Sequence, residues 1–231
     1  MGEREDLTAQ LVAAGIAPDL ALRLGEYGSL LLEANRRVNL TGASTAQDLA
    51  PHILDSLTLC AYVTSPLVDI GSGGGLPAIP VALSTGAAIT LVESTVKKAA
   101  FLESAVAALQ LDARVVAERA ESAARDAGLR AQFASATARA VSSAPTVLEL
   151  AAPFLRLGGR ALLQRGRMDT REREAVLDAA PMLGMNLREE RLLDGERRIL
   201  IFEKTGETPQ RFPRRPGVPE KRPLCLRGES Q

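Results

Sequence analysis

Between residues 66 and 77 the chain reads Pro66-Leu67-Val68-Asp69-Ile70-Gly71-Ser72-Gly73-Gly74-Gly75-Leu76-Pro77. A short apolar strand runs straight into a glycine loop, and a helical stretch opens at Pro77 and continues to Leu83. Strand, glycine loop and helix together make a nucleotide-binding unit, because glycines let the backbone approach a ligand and the helix N-terminus faces it. The spacing narrows the ligand. A dinucleotide site reads G-x-G-x-x-G, whereas here the third glycine comes one place early (Gly71, Gly73, Gly75) and Asp69 precedes the loop.

With 231 residues there is room for one full α/β domain and an appendage, but not for two large domains. Charge is balanced, 28 basic against 28 acidic side chains, so a generally basic nucleic-acid binder is excluded and any RNA contact must come from a local patch. Cys60 and Cys225 lie far apart and outside any metal spacing, which suits free thiols in a reducing compartment and no metal site. No apolar signal core opens the chain, and no run of about 18 apolar residues occurs in it. A cytoplasmic protein without a membrane partner is expected.

Residues 6–64 read as helices. Leu20, Leu24, Tyr27, Leu31 and Ala34 form an apolar stripe at steps of three and four, with Asp19 as a candidate cap. A second helix is expected from Ser44 or Thr45, with Leu49, Ile53, Leu57 and Cys60 on one face. From Pro66 onward strands and helices alternate. Strands are expected at 66–70, 88–93, 113–117, 133–138, 158–164, 186–193 and 197–203, and helices at about 77–84, 96–110, 119–128, 145–155 and 169–182. That alternation implies a doubly wound, mostly parallel sheet. Only Leu193-Asp194-Gly195-Glu196 separates the last two strands, and Asp-Gly is a hairpin signal, so that pair is expected to be antiparallel. After Lys204 a proline-rich stretch (Pro209 to Pro223) carries Arg211, Arg214, Arg215, Lys221 and Arg222 against one acid, Glu220. The prolines argue against regular structure there. The stretch is either a solvated tail or an extended arm that tracks a phosphate backbone. Expected boundaries are 1–64 for a helical cap, 65–205 for the core and 206–231 for the basic tail, in one compact unit.

The D-x-G-x-G-x-G loop resembles the first motif of S-adenosylmethionine-dependent methyltransferases, in which the loop wraps the amino-acid end of the cofactor. Six parallel strands with an antiparallel hairpin at the end suit the Rossmann-like, seven-stranded methyltransferase form of the doubly wound sheet. Further stretches point the same way: Asn39-Leu40-Thr41, His52-Ile53-Leu54-Asp55-Ser56, Asp69 through Pro80, Lys97-Lys98-x-x-Phe101-Leu102, Arg139-Ala140, and the Pro-Arg-Arg-Pro-Gly…Lys-Arg-Pro-Leu tail. In order and spacing the set resembles the ribosomal RNA small-subunit methyltransferase G family over nearly the whole chain. The resemblance implies methyl transfer from S-adenosyl-L-methionine to N7 of a guanine in the decoding-region hairpin of 16S rRNA, with the RNA or the 30S subunit as partner. A monomer is expected.

The physics of the individual residues agrees with that implication. Gly71, Gly73 and Gly75 lack a Cβ, so backbone can pass close to a cofactor. Asp69 ends the first strand, where ligands bind in open sheets, and could hold the loop amides or the cofactor amine. Leu76 matches a cofactor-contacting position of the family. Glu93 ends the second strand, where an acid accepts both ribose hydroxyls, and Ser94 follows it. Ala120 and Glu121 match positions whose backbone brackets the adenine. Arg139 closes the fourth strand, where a guanidinium can pin the cofactor carboxylate or the guanine edge, and it is the candidate catalytic residue. Arg165 joins the tail cations as a candidate RNA contact.

The sequence departs from the family at Ala78, where Gly is usual, at Ala134, where Asp is frequent, and at Arg165-Gly166, where Lys-Gly is common. Guanine N7 carries a lone pair and no proton, so its methylation is direct displacement that needs alignment and no base. His52, the only histidine, is therefore read with Asp55 as pocket-lining or helix-fixing, with packing an equal alternative. Rival chemistries fit less well. Exocyclic-amine methylases resemble one another in an Asn/Asp-Pro-Pro-aromatic motif, where this chain reads Arg139-Ala140-Val141-Ser142. Carbon-5 methylases need a core cysteine, and neither cysteine lies within 66–204.

Overall fold

The computed structural model describes residues 2–139 and 142–226; Ala140 and Val141, which enter the motif at Arg139, lie outside the described residues. Three helices come first: α1 (Glu3–Ala13), α2 (Pro18–Asn35) and α3 (Ala46–Leu57). Pro18 takes the first helical position of α2, where its fixed φ fits and its missing N–H costs nothing. Asp19 therefore sits inside the first turn, and the expected cap at Asp19 is corrected to Ala17. At α3 the Thr45 hydroxyl accepts from Asp48 N–H while the Asp48 carboxylate accepts from Thr45 N–H, a reciprocal cap that sets the start.

Alternation then proceeds through β1 (Leu67–Ile70), α4 (Ala78–Thr85), β2 (Ile89–Val92), α5 (Val96–Ala108), β3 (Ala113–Val116), α6 (Ala120–Ala123), β4 (Phe133–Ala138), α7 (Ala144–Ala151), β5 (Leu155–Arg165), α8 (Thr170–Met182), β6 (Met185–Leu192) and β7 (Arg198–Lys204). The helix expected over 119–128 is only the single turn of α6. Beyond it the Asp126 carboxylate accepts the Gly128 N–H and holds the chain in turns. The tail is also less extended than its prolines suggest: Gly217, at φ 78°, turns the chain into one helical turn, α9 (Val218–Lys221).

The strands form one sheet in the order β3-β2-β1-β4-β5-β7-β6. β1 to β5 pair in parallel, and β7 runs antiparallel to both β5 and β6. The β6–β7 connection turns at Gly195 (φ 68°), with Leu193 N–H donating to the Arg197 carbonyl at 2.8 Å. This is the doubly wound sheet and terminal hairpin expected from the sequence. Strand order reverses between β1 and β4, so a crevice opens at the carboxyl ends of those strands.

Each face of the sheet is sealed by one apolar cluster. On one side Leu24, Tyr27 and Leu31 of α2 and Leu49 and Ile53 of α3 join Ile79, Leu91 and Leu102. On the other, Val147 and Leu148 of α7, Val176 of α8 and Phe202 pack with Phe212 from the C-terminal segment. The N-terminal helices and the segment around Phe212 are thus built into the core. The N-terminal helices also reach the glycine loop directly, because the buried Tyr27 hydroxyl donates to the Gly74 carbonyl at 2.8 Å. Gly74 packs closely there: a Cβ would lie 2.7 Å from Leu31 Cδ1, so a side chain would have to displace the buried Leu31.

Candidate functional site

Two buried carboxylates, Asp69 and Glu93, lie beneath the loop after β1, and Glu93 holds it. Gly71, Gly73 and Gly75 all have positive φ (68°, 54° and 92°), a region that side-chain-bearing residues rarely enter. Glu93 spends one oxygen on the Gly73 N–H (3.0 Å) and the other on the Thr95 N–H (2.7 Å). Asp69 takes no loop amide. Its Oδ1 accepts from the Thr137 hydroxyl at 2.8 Å, and Oδ2 is buried without a hydrogen-bond partner. Of the two roles open to Asp69, holding loop amides falls to Glu93, and a free acceptor remains. Burial pushes the Asp69 carboxyl up to about 7, against the pull of the Thr137 and Ser72 hydroxyls and of the Arg139 charge.

Above the loop lies a cavity of about 160 Å³. Gly71 and Ser94 form one side, Ala120 and Glu121 another, and Pro219 and Glu220 close it from the C-terminal segment. The Glu121 side chain is 2% exposed. It accepts from Arg119 Nε and Nη2 (3.2 and 3.0 Å) and from the Gly217 N–H (2.8 Å). Burial alone would raise its carboxyl, but those donors outweigh burial and leave it below the usual carboxylate range.

The cavity therefore gathers Gly71, Ser94, Ala120 and Glu121 of the residues read from the sequence. Asp69, Gly73, Gly75 and Glu93 lie beneath or within the loop, and Leu76 is turned into the helical-cap cluster, so these do not line it. Glu118, Arg119, Ser142, Thr146, Pro219 and Glu220 line it without having been singled out. Glu118 and Arg119 could have been found from their place just after β3. Pro219 could not, because its approach is set by contacts across the fold.

A second cavity of about 310 Å³ opens at the ends of β4, β5 and β7. Arg139, Arg165, Arg197 and Arg198 line it with Asp55 and Gln164. Arg139 donates to the His52 carbonyl (3.1 Å) and lies 3.8 Å from Asp55 Oδ2, so α3 anchors it; it lines this second cavity and not the first. Arg165 donates to the Ser142 carbonyl and to Glu172, each at 2.6 Å. Because Ser142 lines the first cavity, that contact makes the two cavities neighbours. Gln164 Oε1, Arg165 Nε and Arg198 Nε are buried without a hydrogen-bond partner, a concentration of unsatisfied donors and acceptors around one opening. His52 lines neither cavity; burial and then the Arg139 charge lower its pKa.

The tail cations divide. Arg211, Arg215, Lys221 and Arg222 are exposed. Arg214 is not available as a phosphate contact: its guanidinium grips both oxygens of Glu149, at 2.6 to 3.1 Å, and its own N–H joins at 2.9 Å. The reason is electrostatic, since Glu149 has 0% exposure and a buried carboxylate needs a cation. Arg165 is likewise committed to Glu172. Among the described residues no group of three His, Cys, Asp or Glu is placed to hold a metal ion, and no helix is long and apolar enough to cross a membrane.

Known proteins resemble this chain in fold and in sequence. A methyltransferase of Burkholderia thailandensis, solved with 1,6-didemethyltoxoflavin and S-adenosylhomocysteine, superposes with a TM-score of 0.55 at 16% identity, over 78% of this chain and 90% of that one. The TYW2 protein of M. jannaschii, solved with AdoMet, gives 0.51 at 16% identity, over 66% and 76%. At such identities the likeness is one of fold. In sequence, the ribosomal RNA small subunit methyltransferase G of Rubrobacter xylanophilus is 41% identical over 96% of this chain and 91% of its own length. That of Chloroflexus aggregans is 42% identical over 86% and 87%. The model of the family described as rRNA small subunit methyltransferase G matches residues 21–200. With that match across the glycine loop and the sheet as far as the start of β7, the chain belongs to the rRNA small subunit methyltransferase G family.

Proposed function

We propose that this protein transfers a methyl group from S-adenosyl-L-methionine to N7 of a guanine in 16S rRNA, acting as a monomer in the cytoplasm. The observation that carries the reading is the adjacency of two unlike cavities at one sheet edge. One is small, lies over a glycine loop and suits a nucleoside; the other is lined by arginines and suits a nucleotide of an RNA strand. Ser142 and Arg165 join them.

The residues present fit the cofactor. The unpartnered Asp69 Oδ2 is an acceptor for an ammonium group, and the loop held by Glu93 offers close backbone approach to the same end of the molecule. Ser94, Ala120 and Glu121 would flank its nucleoside end. Glu93 has lone pairs left for a ribose hydroxyl, while the hydrogen bonds in place commit it first to the loop. Leu76 supports the loop through packing.

When bound, S-adenosylmethionine supplies a methyl group on a sulfonium centre. Guanine N7 carries a lone pair and no proton, so the chain would have none to remove. Its work is alignment. Arg139, fixed on α3 and facing the second cavity, would steer the guanine edge or the adjoining phosphate. The absence of His52 from both cavities fits this division of labour. The outward Arg211, Arg215, Lys221 and Arg222 would hold the flanking strand by its phosphates, which position the RNA without choosing the base.

The direct test is incubation of unmethylated 30S subunits or 16S rRNA with enzyme and labelled cofactor, followed by mass-spectrometric mapping. One new N7-methylguanosine is expected. A methyl on an exocyclic nitrogen or on carbon would contradict the reading.

Cofactor affinity carries a pH signature. Asp69, with its pKa near 7, holds a proton below that pH and must lose it to pair with the cofactor ammonium. S-adenosylhomocysteine affinity should therefore rise about tenfold per unit up to pH 7 and level off above it. Asp69→Asn should bind weakly at every pH, with that slope gone. Calorimetry between pH 5.5 and 8.5 decides it, and a flat wild-type profile would remove Asp69 from the site.

The exposed tail cations make a salt prediction. Replacing Arg211, Arg215 and Lys221 together by Ala should flatten the slope of log RNA affinity against log salt by about 2–3, at ~0.7–0.9 per phosphate. Fluorescence titrations at several salt concentrations read this directly. An unchanged slope would move the RNA surface away from the tail.

A further inference from the structure

The outer wall of the first cavity comes from the far end of the chain. Pro219 and Glu220 face the cavity opposite the elements that follow β1, β2 and β3. Local structure does not hold them there, because the only regular element in the segment is the single turn of α9. Core side chains do. Arg130 donates to the Thr208 and Phe212 carbonyls (2.9 and 3.1 Å), and Arg125 to the Pro213 carbonyl (2.6 Å). Glu121 accepts the Gly217 N–H, and the buried Thr146 hydroxyl donates to the Pro219 carbonyl at 2.9 Å.

The centre of this attachment is the Glu149–Arg214 clasp. Both carboxylate oxygens are occupied, the guanidinium engages in fork geometry, and the Arg214 backbone N–H adds a further bond. Arg214 also reaches the Arg222 carbonyl at 2.7 Å, so a single side chain closes the segment on itself around α9. Neither Glu149 nor Arg214 lines the cavity. On its outer side the same segment presents Arg211, Arg215, Lys221 and Arg222 to solvent.

We infer that Glu149 and Arg214 are positioning residues for the cofactor: their clasp holds Pro219 and Glu220 as the cavity's outer wall, and RNA that grips the outward cations of this segment tightens the cofactor's hold. The inference rests on the function proposed above. Loosening the clasp leaves the glycine loop intact and lets the wall fray, so cofactor binding must then carry the cost of ordering it. The coupling to RNA is reciprocal by linkage, since a ligand that orders the wall lowers that cost for the other.

The test is calorimetric titration of the full-length protein with S-adenosylhomocysteine, with and without 16S rRNA, in wild type, Glu149→Gln, Arg214→Lys and Arg214→Ala. Arg214→Ala is expected to raise Kd about tenfold. Arg214→Lys should fall between it and wild type, because an ammonium cannot reproduce the fork. In turnover the KM for S-adenosylmethionine should rise with kcat at saturation retained, a split that general unfolding does not produce. RNA should lower the wild-type Kd by about threefold and leave that of Arg214→Ala unchanged. Thermal melts identify which variants are folded, and the isosteric Glu149→Gln carries the test if Arg214→Ala is not. Wild-type cofactor affinity in a folded clasp variant, or a wild-type Kd indifferent to RNA, would overturn the inference and leave the proposed function standing. A wild-type protein that does not bind the cofactor at all would overturn both.

Discussion

Glu93 holds the glycine loop, and the geometry above the sheet depends on it. A carboxylate with 7% exposure would ordinarily be costly, and here both of its oxygens are occupied by backbone N–H groups, one in the loop and one at the start of α5. The loop cannot lift without stripping that carboxylate of a partner. Tyr27 secures the loop from the opposite side through the Gly74 carbonyl, so the helical cap and the second strand fix one short backbone segment between them. The positive φ angles at Gly71, Gly73 and Gly75 are tolerable because the residues are glycines, and they persist because the surroundings leave no alternative.

Charge is distributed by the same logic of pairing. Carboxylates with little exposure are each given donors: Glu121 by Arg119 and the Gly217 amide, Glu149 by Arg214, Glu172 by Arg165. Asp69 is the exception, with one oxygen bonded and one unsatisfied, and its carboxyl is raised accordingly. Around the second cavity the imbalance recurs in the buried atoms of Gln164, Arg165 and Arg198. Under the function proposed above, the cofactor and the RNA would supply partners to these unsatisfied groups in an otherwise well-paired interior.

Much of this was legible in the sequence, for identifiable reasons. The strand at 133–138 matches β4 residue for residue, a short run of small, mostly apolar side chains between Gln132 and Arg139. The Asp194-Gly195 hairpin followed from local turn chemistry, and the parallel strands before it from the alternation of strands and helices. The glycine loop followed from spacing alone. What escaped was whatever depends on contacts between distant residues. Arg214 looks like its neighbour Arg215 in sequence, and only a buried glutamate 65 positions earlier separates their roles. Pro219 and Glu220 read as tail residues until Thr146 and Glu121 are seen to draw them over the cavity. The sequence offers Asp69 as a holder of the loop amides or of the cofactor amine and Glu93 as a ribose acceptor, yet only the folded chain shows that Glu93 spends its oxygens on the loop.

Under the function proposed above, the cofactor would lie with its base in the small cavity and its amino-acid end on Asp69. A crystal structure with S-adenosylhomocysteine bound at pH 8 tests it most directly. Density for the adenine between Ala120 and Pro219, with the cofactor ammonium on Asp69 Oδ2, is the predicted result. An adenine seated elsewhere on the protein, or an Asp69 Oδ2 still without a partner in the complex, would contradict it.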